Sequence, residues 1–172
     1  MIDLYQAEFE SPIGLIYLVS DEKAIRAVDF EGYEARMRVL LERHYGQYKL
    51  HAWKNSRESV NCLKSYFHGD LGAIEQLSVA TNGTSFQRLV WAALRSIPVG
   101  TTVTYGTIAQ RIGRPHACRA VGLANGSNPI GIVVPCHRVI GANANLTGYG
   151  GGLERKRWLL EHEGVGRQVR IL

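Results

Sequence analysis

Along the first thirty residues apolar and polar side chains alternate, and after that the period lengthens. Residues 2–9 and 15–19 have the two-residue rhythm of half-buried strands, with the turn formers Ser11, Pro12 and Gly14 between them. Asp21-Glu22-Lys23 predicts a second turn, followed by a strand over 24–30. From Glu34 to Tyr45 the apolar residues Met37, Leu40, Leu41 and Tyr45 recur at helical spacing. Ser56 can cap a further helix running to about Phe67, and Gly69 ends it. This pattern predicts a small α+β unit in which helices cover a three-stranded antiparallel sheet.

Thr81-Asn82-Gly83-Thr84 reads as a linker, which sets expected units at 1–83 and 84–172. Thr84 or Ser85 can cap a helix from Phe86 to Ser96, with Phe86, Leu89, Val90 and Leu94 on its apolar side. Pro98 and Gly100 break the chain. A short helix from Tyr105 to Ile112, the turn Gly113-Arg114-Pro115 and a helix over about 116–125, ended by Asn125-Gly126, have the layout of a helix-turn-helix. Ile132-Val133-Val134 predicts a short buried strand, Gly148 to Gly152 a flexible loop. Glu154 to Glu163 predicts a last helix with Trp158, Leu159 and His162 inward, stopped by Gly164.

Composition sharpens this picture in one respect. The net charge of +5 is divided unevenly: residues 1–83 hold nine Lys and Arg against twelve Asp and Glu, and residues 84–172 hold eleven against three. Between Glu75 and Glu154 there is no acidic residue, and the cations there are Arg88, Arg95, Arg111, Arg114, Arg119 and Arg138. A basic half-chain of this kind suits a polyanion, nucleic acid first, although a solvated basic surface gives the same count. No apolar run is long enough for a membrane span and no secretory signal is visible at the N-terminus. Three cysteines, Cys62, Cys118 and Cys136, without a C-x-x-C pair, argue for a reducing, cytoplasmic setting.

Of the three thiols, Cys136 has the most suggestive neighbours. It follows an apolar run and Pro135 and precedes His137, an imidazole that can take its proton if the chain turns there. A buried small hydrophobe is the competing reading. Cys62 falls in a helical pattern and reads as core; Cys118, with only His116 nearby, cannot make a zinc site. Glu163 ends the last helix, where a carboxylate needs a partner; His137 is a candidate, and a solvent-exposed Glu is the leading alternative. For Asn128 before Pro129, for Tyr105 and for Arg119, turn chemistry, packing and surface charge remain open alternatives.

Taken together, these residues resemble the O6-alkylguanine-DNA alkyltransferases. Val134-Pro135-Cys136-His137-Arg138-Val139-Ile140-Gly141 is similar to that family's signature. Thr84-Ser85-Phe86-Gln87, Val90-Trp91, Ile97-Pro98-Val99-Gly100, Thr104-Tyr105-Gly106, Arg119-Ala120-Val121-Gly122, Asn128-Pro129, Gly148-Tyr149 and Trp158 to Gly164 follow in the family's order and spacing. The likeness is specific over about 84–164, looser over 1–83, and fits the stand-alone bacterial type. It implies an RNase H-like N-terminal unit and a C-terminal winged helix-turn-helix-like DNA-binding domain.

The resemblance implies DNA repair by irreversible transfer of an alkyl group from O6-alkylguanine to Cys136, once per molecule, with O4-alkylthymine left open. His137 would be the base, acting through a water, Glu163 its orienter, and Asn128 the shaper of the cysteine turn. Tyr105 would donate to the everted guanine and crowd its phosphate. Arg119 would fill the gap in the stack; Arg114, Ala120, Gly122 and Asn125 would join it in contacting double-stranded DNA through the minor groove. Val139, Tyr149, Gly150 and Gly151 would line the lesion pocket. Some relatives carry Ser at the position of Gly150, and the glycines here would widen the pocket. No metal, no cofactor, no membrane and a monomer are expected. The competing functions are a non-enzymatic binder of alkylated DNA, a winged-helix transcription factor and a Cys-His hydrolase.

Overall fold

The computed structural model describes residues 1–166 and the backbone of Arg170 and Ile171. The chain divides into two compact units, Met1–Asn82 and Gly83–Leu172.

In the first unit, β1 (Ile2–Ser11), β2 (Gly14–Ser20) and β3 (Ile25–Phe30) form the expected antiparallel meander. The β1–β2 turn is closed by Ser11 Oγ donating to the Gly14 carbonyl at 2.6 Å, with Gly14 at φ +101°. The sheet has four strands, not three. Tyr48–Ala52 forms β4, parallel to β1, giving the order β3-β2-β1-β4. Its side chains are almost all exposed, so this edge strand carries no apolar alternation for the sequence to reveal. Helix α1 (Glu34–Tyr45) lays Met37 and Leu41 onto Leu4, Val19 and Ala27 of the sheet. Burying a side chain such as Leu41 contributes about 1.5–3 kcal/mol. Helix α2 (Arg57–Phe67) turns Leu63, Tyr66 and Phe67 inward. Ser56 stands before it in helical backbone and makes no side-chain cap, contrary to expectation.

The second unit opens with α3 (Ser85–Arg95), started by a reciprocal cap: Gln87 N donates to Thr84 Oγ1 at 3.1 Å and Thr84 N to Gln87 Oε1 at 2.9 Å. Its inward face is Val90, Trp91 and Leu94; Leu89 is 44% exposed and Phe86 half-buried, so the expected apolar face is rotated toward Trp91. Trp91 Nε1 donates to the Ala124 carbonyl at 2.8 Å. Gly83 lies over the Trp91 ring, where a Cβ would approach to 2.5 Å, so only glycine fits there.

Strand β5 (Val103–Thr104) leads into α4 (Tyr105–Arg111), capped by Thr104 Oγ1 accepting from Thr107 N at 3.1 Å. Helix α5 (Cys118–Gly126) begins two residues later than the pattern suggests. Residues 132–134 are not a strand. They form a buried turn, with Val134 N donating back to the Ile130 carbonyl at 3.0 Å and Ile132 at φ +67°. A short apolar run is buried in either conformation, and periodicity alone does not separate them. The strand here is β6 (Val139–Ile140), parallel to β5. Asn145–Leu146 (β7) pairs with Arg170–Ile171 (β8), and α6 (Leu153–His162) closes the unit. Its inward residues are Lys156, Leu159 and Leu160, while Trp158 stacks half-buried on His162 at 4.7 Å.

Candidate active site

Cys136 begins a single 3-10 turn, Cys136–Arg138, that Pro135 initiates, and is 5% exposed. Its backbone is held from several sides. The Cys136 carbonyl accepts from Val139 N and, at 3.4 Å, from Asn125 Nδ2. Asn128 fixes the approach to the turn: its Nδ2 donates to the carbonyls of Val134 at 2.8 Å and Ile130 at 3.3 Å, and its Oδ1 accepts from Ile130 N at 3.0 Å. The side chain of Asn128 thereby stands in for a missing strand partner across residues 130–134. A positive φ is disfavoured for a β-branched residue such as Ile132, and it is here that this over-determined turn holds one.

His137 and Arg138 are buried and share one carboxylate. His137 Nε2 lies 2.9 Å from Glu163 Oε1, while Arg138 donates to both oxygens, Nε at 2.8 Å and Nη2 at 2.9 Å, and Nη1 donates to the Ile97 carbonyl at 2.6 Å. Burial pushes the Glu163 carboxyl up, but His137 and Arg138 outweigh it and hold the group well below the usual carboxylate range. Burial lowers the His137 value against the pull of Glu163. An ionised carboxylate can only accept, so a neutral His137 carries its proton on Nε2 and presents a lone pair at Nδ1. His137 Nδ1 has no hydrogen-bond partner among the described residues. An imidazole held in this way can serve as an oriented general base.

The same shifts set a stability profile. The folded chain binds protons at His137 and Glu163 less readily than the unfolded chain does. Stability therefore falls as pH drops below about 6.5, the ordinary imidazole value, and falls further through the carboxylate range. Urea midpoints measured at about pH 5 and pH 7.5 should show the acid value lower, with a wider gap in Glu163→Gln, which removes the charge that holds His137 up against burial.

Tyr105 reaches this turn through the β5–β6 ladder, where Thr104 pairs with Ile140 and Val103 with Val139. Its hydroxyl donates to the Thr147 carbonyl at 3.0 Å. Burial raises its pKa against the lowering effect of the Thr147 hydrogen bond, and thiolate charge at Cys136 and Cys118 would raise it further. Gly122 on α5 lies against the Tyr105 ring, a Cβ there meeting Cδ1 at 4.0 Å. The outer face of α5 shows Arg119 and Ala120 exposed, with Arg114 exposed in the preceding turn. Asn125 does not join them. It is buried and spends its amide on the Cys136 carbonyl, so the expected DNA contact from Asn125 is replaced by a structural one. Val139 is buried in β6, Tyr149 and Gly150 are half-buried, and Gly151 is buried, its carbonyl accepting from Arg155 at 3.1 Å.

Two family descriptions match the chain end to end: the 6-O-methylguanine DNA methyltransferase ribonuclease-like domain over residues 4–81, and its DNA binding domain over residues 85–165. The chain belongs to the 6-O-methylguanine DNA methyltransferase family. A methylated-DNA–protein-cysteine methyltransferase of Shigella flexneri is 49% identical over 95% of this chain and 98% of its own, and one of Methanosarcina acetivorans 47% identical over 94% and 99%. Among solved structures, Mycobacterium tuberculosis OGT in complex with DNA superposes with a TM-score of 0.78 at 41% identity, covering 94% of this chain and 92% of that one. The activity is that of a methylated-DNA–protein-cysteine methyltransferase, a DNA-repair reaction in which a protein cysteine receives the alkyl group. Among the described residues, no helix of this methyltransferase is long and apolar enough to cross a membrane.

Two members of the site escape a reading of the sequence. Arg138 reads there as one more surface cation, yet it is buried and neutralised by Glu163. Lys156, which the sequence does not single out, lies in the run Arg155-Lys156-Arg157 and is the buried residue of the three. A signal for Lys156 does exist: it lies three and four residues before Leu159 and Leu160, on the same helix face.

Proposed function

We propose that Cys136 is the acceptor and that the second unit repairs O6-alkylguanine in double-stranded DNA after everting the base. The supporting observation is a buried thiol one residue from an imidazole whose tautomer is fixed by a buried carboxylate. In the reaction, His137 Nδ1 takes the thiol proton through one water. The sulfur lone pair forms the S–C bond to the alkyl carbon as the C–O6 bond breaks. That electron pair stays on the guanine, which takes up a proton and leaves neutral. The thioether is stable, so each molecule acts once.

The duplex hides O6, and everting the nucleotide costs a few kcal/mol, less for a lesion that pairs poorly. On this reading α5 enters the minor groove, where Ala120 and Gly122 leave room for backbone contact, and Arg119 fills the vacated place in the stack. Arg114 lies beside the phosphates. Tyr105 hydrogen-bonds the extruded guanine, whose edge is read by the backbone near Cys136 and Val139, against Tyr149, Gly150 and Gly151. The protein works in the cytoplasm as a monomer.

Intact-protein mass after incubation with a duplex carrying O6-methylguanine tests the reading. A gain of one methyl group, mapped to the Cys136 peptide, is expected. Turnover without mass gain, or DNA binding without it, would sink the proposal. Gly150 bears on lesion size: Gly150→Ser should lower the rate on benzyl lesions relative to methyl by a few fold, read from single-turnover rates. An unchanged ratio would remove any role of Gly150 in pocket width.

A further inference from the structure

On the outer side of α5 the surface carries little charge. Its exposed residues are Cys118, Arg119, Ala120, Leu123 and Gly126, and Arg119 is the one cation among them. The neighbouring exposed arginines, Arg111 and Arg114, lie before the helix, at the end of α4 and in the turn. Leu123 stands one helical turn beyond Arg119 and is 77% exposed, while Val121, Ala124 and Asn125 take the inward face. A lone exposed leucine is ordinary on a protein surface. This one lies in the acid-free stretch between Glu75 and Glu154, on the surface that the proposed function turns toward a polyanion. A cation at position 123 would strengthen the hold on phosphates. The chain has an isobutyl group there instead.

The minor groove offers that group one kind of partner. Its edges are rows of phosphates, and its floor is a row of base edges that present hydrogen-bond acceptors. Between them the walls are sugars, and a deoxyribose shows C–H groups on that side, the C2′ methylene included. In a ribonucleotide the same position carries a hydroxyl, which the minor groove displays. Packing an isobutyl group on a C–H wall removes water favourably. Packing it on a hydroxyl strips that group of water and returns no donor or acceptor, which is unfavourable.

We propose that Leu123 packs on a deoxyribose beside the everted nucleotide and is the residue by which this protein tells DNA from RNA. The inference rests on α5 entering the minor groove with Arg119 in the stack, as described above. Four residues of helix rise about 6 Å, less than two base steps of about 3.4 Å each. The contacted sugar therefore lies within two nucleotides of the lesion.

The test uses O6-methylguanine duplexes that carry a single ribonucleotide, placed in turn at the two positions on either side of the lesion and at those opposite, with the all-DNA duplex as reference. One ribonucleotide leaves the rest of the duplex as DNA, so the comparison reads the local hydroxyl. Half-saturating concentrations should be measured by gel shift for wild type, Leu123→Ala, Leu123→Ser and Leu123→Met. Wild type should bind about tenfold more weakly when the ribonucleotide occupies one of these positions, and within about twofold of the reference at the others. At the sensitive position the penalty should drop below about threefold in Leu123→Ala. It should drop further in Leu123→Ser, whose hydroxyl can pair with that of the sugar. Leu123→Met, apolar and of similar length, should keep most of it. The salt dependence of binding to the reference duplex should be the same in all four proteins, since residue 123 touches no phosphate. A wild type with no penalty at any position overturns the proposal, as does a penalty that Leu123→Ala and Leu123→Ser retain in full. A wild type that shows the residue-123-dependent penalty but gains no methyl would fail the transfer reading and leave this one standing. A wild type that binds no duplex would fail both.

Discussion

Cys136→Ala protein is expected to gain no mass from a methylated duplex, while still binding that duplex. The substitution removes the sulfur and keeps the bonds that hold the backbone turn through the Cys136 carbonyl, Asn125 and Asn128. The stability change should be small, on the order of 1 kcal/mol, since only one sulfur leaves a buried position. The loss of transfer should be complete, for the other two cysteines do not replace it. Cys62 belongs to the first unit, and Cys118 is exposed at the start of α5, whereas Cys136 is buried one residue from the His137 that Glu163 orients. Mass spectrometry of the intact protein and a gel-shift titration on one sample read the two outcomes separately. Methylation of Cys136→Ala at another residue would contradict the assignment.

Glu163→Ala should damage both stability and rate. The substitution strands two buried groups at once: Arg138 loses both carboxylate bonds, and His137 loses the bond that fixes its tautomer. Removing one member of a buried charge pair costs about 3–5 kcal/mol. The transfer rate of whatever folds should fall by roughly 10²–10⁴, the ordinary contribution of a positioned base. Glu163→Gln separates the two effects. It keeps the volume and one acceptor for Arg138, so it should recover part of the stability. The amide no longer supplies the negative charge that stabilises protonated His137, so the rate should stay low. Denaturant midpoints and single-turnover rates on the same preparations give both numbers. Should Glu163→Gln transfer as fast as wild type, His137 is not acting as the base.

The parts of the fold visible in the sequence were those with a period. The meander of three strands, α1, and the capped starts of α3 and α4 follow from alternation, helical spacing and the Thr84 and Thr104 caps. Strand β4 was invisible because an edge strand open to solvent has no apolar rhythm. Residues 132–134 were misread because an apolar run is compatible with any buried conformation, and the turn there is dictated by Asn128, a residue several positions away. In the site, Cys136 and His137 stood out by residue type and adjacency, while Glu163 joined them only through the family resemblance. Arg138 and Lys156 did not, since charge in a basic half-chain looks like surface until its partner, one carboxylate or two carbonyls, is located in space. Asn125 failed in the opposite sense: a polar residue on the second helix of the pair is as ready to brace the interior as to face a ligand.

The two-residue ladder of β5 and β6 has a bearing on how such proteins diversify. It pins the phenol of Tyr105 and the sulfur of Cys136 to one rigid frame, though some thirty residues separate them along the chain. The intervening helix pair is anchored inward by Ile108, Val121 and Asn125, and on its outer side Leu123 stands 77% exposed beside Arg119 and Ala120. On the proposed function, substitutions on that outer surface would retune which DNA is held, and how tightly, while Tyr105 and Cys136 stay in register. Chemistry and address would thus be separately heritable within a single small domain.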